Sequence, residues 1–250
     1  MLGGLIGLGG AEFRLPLLIA VFALYPHCAI RINLLITLAT LATAAVARLG
    51  LIHETHVASF TLEIAAMLVS GIAAAWVGTG MLSRIPKDRI MLVIASLLAA
   101  VAVLLMIETR FAGSTALGLP PDQILRAAVG LVAGIAVGAI SSLLGVAGGE
   151  FIIPILIFIF GADIKTAGTA SVLISIPIVI AGVARHVLTG HFRSRSMLGF
   201  LVLPMSIGSI CGAMIGGYVS AWAPSDVLRA VLAVILLLSA FKLWRKSDEH

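Results

Sequence analysis

Charge is scarce in this chain. Aspartate, glutamate, lysine and arginine make up 11% of its 250 residues, against roughly 25% in soluble domains. That scarcity excludes an ordinary soluble protein with a large core. Cysteine is scarcer still. Cys28 and Cys211 stand alone in apolar surroundings, which excludes a disulfide framework and a cysteine-built metal site. No Walker loop or Rossmann fingerprint is present, and Gly3–Gly10 precedes no soluble βαβ unit, so no nucleotide or other cofactor is expected. No nucleophile–base pair marks an enzyme. The run His53-Glu54-Thr55-His56 is too short and too loose to hold a metal. The formal net charge of +5 is modest; it reports loop orientation, and no nucleic-acid partner is expected. The start lacks the basic n-region of a cleaved signal peptide.

What is present is hydrocarbon. Apolar residues make up 61% of the chain. Long apolar stretches run over about 29–51, 57–83, 89–108, 123–144, 166–189, 197–219 and 226–244. Each is near the ~20 residues that an α-helix needs to cross a bilayer. Two shorter pieces, 13–24 and 150–160, each follow a glycine cluster and are too short to cross. The expected fold is an all-α polytopic membrane protein with the lipid bilayer as its surroundings.

The chain also repeats itself. Gly7-Leu8-Gly9-Gly10-Ala11-Glu12-Phe13-Arg14-Leu15-Pro16 returns 138 residues later as Gly145-Val146-Ala147-Gly148-Gly149-Glu150-Phe151-Ile152-Ile153-Pro154. The same offset pairs Ala29 with Ala167, His53 with His191, Gly78 with Gly216, Pro86 with Pro224 and Asp88 with Asp226. Apolar matches are cheap in such a composition; matched Gly, Pro, His, Glu and Asp positions are not. The spacing divides the chain into a first repeat over 1–108, a linker over 109–121 and a second repeat over 122–250 with a short basic tail. Measured against the second copy, the first is short of residues before Met1, so either the start lies upstream or the first arm is short. Duplication of this kind is typical of secondary transporters.

Loop charge bears on topology. The cationic connections are Arg84/Lys87/Arg89, Arg185/Arg193/Arg195 and Lys242/Arg245/Lys246. If every segment crosses, the first cluster falls opposite the other two. If each glycine-broken segment enters and leaves on one face, three full crossings remain per repeat and all three clusters share a side. The positive-inside rule makes that side, with the C-terminus, the cytoplasm. An odd number of crossings also inverts the second repeat relative to the first. Each repeat is therefore expected to hold a re-entrant or discontinuous helix plus three transmembrane helices.

The breaks carry the chemistry. A helix starting at Glu12 or Glu150 points free N–H groups and a positive dipole end into the protein, where an anion is favoured; the alternative is a packing break without ligand. Glu12 and Glu150 either cap their own helices or carry protons. Arg31, opposite Thr169 in the other repeat, is a cation for an oxyanion or a snorkelling interfacial arginine; Arg14, opposite Ile152, has the same two readings or partners Glu12. Asn33, Thr169 and Ser171 offer short amides and hydroxyls as donors, or simply small interhelical contacts. The expected substrate-binding set is Gly9, Gly10, Ala11, Arg31, Asn33, Gly148, Gly149, Thr169 and Ser171. Gly71, Ala75 and Gly78 read as close helix packing, and His53 and His191 as solvated loop histidines.

The doubled Gly-x-Gly-Gly-x-Glu-Phe…Pro pattern, with Ala167-Gly168-Thr169-Ala170-Ser171 after its second copy, resembles the sulfite exporter TauE/SafE family over essentially the whole chain. The first copy departs from the family at Ala29-Ile30-Arg31-Ile32-Asn33, where Arg31 replaces a small hydroxyl residue. The resemblance implies a bacterial inner-membrane permease, with a small sulfur anion (sulfite or an organosulfonate) as its partner, moved outward without ATP. An anion channel and a non-transporting membrane assembly partner are the competing expectations, and a homodimer is a further one.

Overall fold

The computed structural model describes residues 11–22, 24–48, 57–82, 85–86, 89–90, 92–96, 99–100, 103, 120, 122–189, 202–220, 234, 237 and 241. These residues are helical throughout, with no strand among them. Helix α1 covers Ala11–Ala20 and α2 covers Pro26–Arg48. A 3-10 turn, Val57–Phe60, leads into α3, Thr61–Leu82. In the second half, α4 spans Gln123–Leu144, and α5 spans Gly149–Pro154 and runs on into a π turn, Ile155–Ile159. Helix α6 follows at Ile164–Leu188 and α7 at Leu203–Ser220. Four of these stretches are long and apolar enough to cross a membrane, those of α2, α3, α4 and α6. The expected crossings 89–108 and 226–244 lie largely outside the described residues, as do His53, His191, the linker and most of the basic clusters.

Local chemistry sets the starts and stops. The carboxylates of Asp122 and Asp163 cap α4 and α6, accepting from Ile124 N and Thr166 N at 3.0 Å each, which satisfies N–H groups the helices leave unpaired. Helix α4 ends because Gly145 takes a left-handed conformation, φ 66°. Gly148 does the same at φ 75° just before α5. A side chain at Gly145 would also strike the carbonyl oxygen of Ile30 on α2, so glycine is required there twice over.

Helix directions follow from the contacts. Helices α3 and α4 run parallel, with Glu63 paired to Arg126 at their starts and Gly78 against Ser142 near their ends. Between these points Gly130, Gly134 and Gly138 form one stripe of α4 lying on α3; a Cβ at Gly134 would meet Met67 O, and one at Gly138 would meet Gly71 O. Small residues permit this backbone approach, which is how helices associate where hydrocarbon offers no hydrophobic drive. Helix α6 runs the same way as α3: Gly71 faces Ile178, Thr79 faces Gly182, and Gly80 faces Arg185. Helix α2 runs against α6, because Leu34 faces Gly182 while Thr37–Ala44 share a cavity with Ser171–Ser175.

Beyond the break the chain turns back. The ring of Phe160, just past the π turn, lies 5.6 Å from the guanidinium of Arg126 in the first turn of α4. The second half's broken segment thus returns toward the end where it began. Asn33 secures the turn. Its amide donates to Ala11 O at 2.9 Å and Leu144 O at 3.1 Å, and its Oδ1 accepts from Arg14 Nε at 3.2 Å. One side chain therefore ties the start of α1 to the end of α4. Replacing Asn33 by leucine is expected to cost about 3 kcal/mol, since each buried partner left unsatisfied costs ~1–3 kcal/mol. Thermal unfolding in detergent checks this, and an unchanged melting temperature would dismiss the clamp.

Candidate functional site

A small cavity, about 40 Å³, lies where the break meets α2 and α6. One water needs roughly 10–15 Å³ on such a measure, so the space suits a few waters or a small ion. Helix α2 contributes Thr37, Thr40, Leu41 and Ala44, and α6 contributes Ser171, Val172 and Ser175. Ala11, Ala147 and Gly149 complete the wall. Ala11 and Gly149 are the first residues of α1 and α5, so the starts of two short helices meet at one cavity. They are also 138 residues apart, as are Thr37 and Ser175.

The hydroxyls differ in what they hold. Thr37 Oγ1 donates to Gly145 O at 3.1 Å and accepts from Arg14 Nη2 at 2.9 Å. Thr40 and Ser171 bond back to their own helix, to Thr37 O at 2.9 Å and Gly168 O at 2.8 Å. Ser175 Oγ is 1% exposed as a residue and has no hydrogen-bond partner. A buried hydroxyl without a partner costs about 1–3 kcal/mol, and here it lies on the wall of a space able to hold one.

Arg14 stands directly behind Thr37. It is 8% exposed and donates to three neutral oxygens: Asn33 Oδ1, Thr37 Oγ1, and Ser209 Oγ at 2.8 Å. A guanidinium so placed sends positive potential into the cavity through a single intervening hydroxyl. Ile152, its counterpart, is fully buried in the apolar cluster of the second half.

The expected site residues separate in the structure. Ala11, Gly149 and Ser171 line the cavity. Gly148 forms the turn beside it. Thr169 is buried on α6 but is not in the wall. Asn33 is next to the cavity with both amide hydrogens engaged by backbone carbonyls. Arg31, half-buried on α2, does not line the cavity. Glu12 and Glu150 sit in the first turns of α1 and α5; their side chains, and all of Gly9 and Gly10, lie outside the described residues. Thr37, Thr40 and Ser175 were not among the expected set. Their signal was available in part, since Thr37 and Ser175 are a repeat pair of short hydroxyls.

A second, larger crevice of about 550 Å³ lies between residues 92–99 and 237–241. Its wall is apolar apart from Ser96, so it offers no counter-charge to an anion.

The chain matches the family described as Sulfite exporter TauE/SafE over residues 1–243. The chain belongs to that family. A TauE/SafE match so nearly complete leaves no room for an unrelated domain within those residues. The chain is also 25% identical over 231 residues to the Probable membrane transporter protein YdhB of Bacillus subtilis (strain 168), covering 92% of this chain and 89% of that protein. No solved structure matches. TauE/SafE membership and the apolar helices together make this a membrane protein of a transporter family.

Proposed function

We propose that the protein is a secondary transporter that carries small sulfur-containing anions, sulfite or organosulfonates, out across the bacterial inner membrane. The observation that carries this reading is the cavity itself. It is small, it is ringed by hydroxyls, and Arg14 is held against its wall through Thr37. In this proposal Arg14 supplies the positive field, the unpartnered Ser175 Oγ donates to an oxyanion, and the first N–H groups of α1 and α5 add their dipole ends. Asn33 positions these groups by holding the break closed around them. Glu12 and Glu150 remain caps or proton carriers in this scheme.

The repeats are proposed to be inverted, with the segment from α4 through the π turn re-entrant. Two relations support this. Helices α2 and α6 are counterparts by the 138-residue offset and run antiparallel. Phe160 also lies back beside Arg126. Export agrees with the electrical gradient, since an anion leaving a cell negative inside gains about 2.3 kcal/mol per charge per 100 mV.

Purified protein in liposomes loaded with sulfite tests the reading. Saturable efflux that shows counterflow is expected. Large unitary currents would make the protein a channel, and no flux under any gradient would make it a non-transporting assembly partner.

A further inference from the structure

Because α2 and α6 are counterparts running antiparallel, matched residues fall at opposite ends of their shared interface. The offset of 138 matches Leu34 with Val172, Leu41 with Val179 and Ala44 with Gly182. Leu38 and Ile176 match at the centre.

The two ends are packed differently. At one end Leu34 and Val179 are 0% exposed, share a buried cluster with Ala147, and are covered by Leu38, Ile176 and Val183. There Leu34 Cδ2 comes so near Gly182 that a Cβ on that glycine would stand 3.1 Å away. At the other end the counterparts Val172, Leu41 and Ala44 line the cavity instead. The cavity follows α2 from Thr37 to Ala44 and α6 from Ser175 back to Ser171. It therefore runs from the helix centres toward the end where α2 finishes and α6 begins, and stops at Leu34.

We propose that Leu34–Val179–Gly182 and Val172–Leu41–Ala44 are two forms of one gate, which open and close in alternation. The structure holds the first shut and the second open. In the opposite state Val172 closes on Ala44 and Leu41, while Leu34 leaves Gly182 and Val179. The inference rests on the transporter reading above. Its energetics are favourable because each closure makes what the other breaks. Leucine against glycine and valine against alanine bring the same number of side-chain carbons, so the two plugs are matched in volume. Two packings of nearly equal energy are what a population-shifting carrier requires.

The test uses the full chain with Cys28→Ser and Cys211→Ser, reconstituted in lipid vesicles and treated with a membrane-impermeant maleimide from either face. Val172→Cys and Val179→Cys are the two reporters. Val172→Cys is expected to react roughly ten-fold or more faster, and from one face, because the minor state of such an equilibrium is populated at about 0.1–10%. Adding Gly182→Phe, whose ring displaces Leu34, is expected to protect Val172→Cys and expose Val179→Cys from the other face. Leu34→Ala thins the same plug and serves if the phenylalanine variant does not fold. Simultaneous reaction of both reporters, or a ratio that neither variant moves, overturns the gate. Sulfite efflux from the same variants without maleimide separates the two readings. Efflux with no reversal sinks the gate and leaves transport standing; reversal with no efflux in the parent supports the gate and sinks sulfite transport.

Discussion

Replacing Arg14 by glutamine is expected to reduce sulfite efflux ten-fold or more. The amide keeps part of the length and hydrogen-bonding capacity of arginine but removes the charge. Hydrogen bonds involving a charged group contribute about 1.5–3 kcal/mol, which corresponds to a loss of ~10- to 100-fold in affinity. Arg14 also binds Asn33, Thr37 and Ser209, so a stability effect must be separated from a binding effect. Arg14→Lys does this. It restores the charge without the fork geometry and should recover part of the flux. The melting temperature with and without sulfite completes the comparison, since a ligand bound only to the folded state raises it. A glutamine variant with parental stability, parental flux and an undiminished sulfite-dependent shift would remove Arg14 from the site. Arg31→Gln is the natural control, because Arg31 is absent from the cavity wall.

Replacing Gly138 by leucine is expected to lower stability by about 3 kcal/mol or more, the upper range for overfilling a packed interior. The first atom of the new side chain would land on the backbone carbonyl of Gly71. A carbonyl cannot swing aside as a flexible side chain can, so α3 and α4 must separate. That separation pulls at the Glu63–Arg126 ion pair, whose glutamate is 3% exposed, and breaking a buried pair is costly. Gly138→Ala should already be destabilising. Gly208→Ala on α7 is the matched control, because nothing lies within 4 Å of its added Cβ. There the change should be neutral or stabilising by roughly 0.5–1 kcal/mol, since alanine is the better helix former. Thermal unfolding in detergent ranks the three. Equal behaviour of Gly138→Ala and Gly208→Ala would refute the close α3–α4 approach.

The broad architecture was readable because it depends on short-range properties. Apolar length alone marks α2, α3, α4 and α6, and the observed bounds fall within a few residues of the expected stretches. The break at 145–148 was equally plain: a glycine cluster in an apolar run ends a helix whatever surrounds it, and Gly145 and Gly148 take left-handed conformations there. The stripe Gly130–Gly134–Gly138 was also on the page as a four-residue repeat of small residues. Its partner was not, since nothing local to α4 selects α3.

The binding groups were less readable, and Asn33 shows why. As a residue type it promises donors to an anion. In the fold its donors go to Ala11 O and to Leu144 O, a carbonyl 111 residues away. Arg14 and Arg31 are alike as isolated cations in apolar chain, and only rotation and packing of their helices place one behind Thr37 and the other away from the wall. The chain's composition, its repeat and its glycines thus dictated a membrane-embedded helical pair of halves with a break in each motif, because these depend on solvation and backbone sterics within a few residues. Which hydroxyl stays unpartnered, which cation faces the cavity and which end is shut were decided by tertiary packing alone, because each depends on contacts between segments that the chain separates by a hundred residues or more.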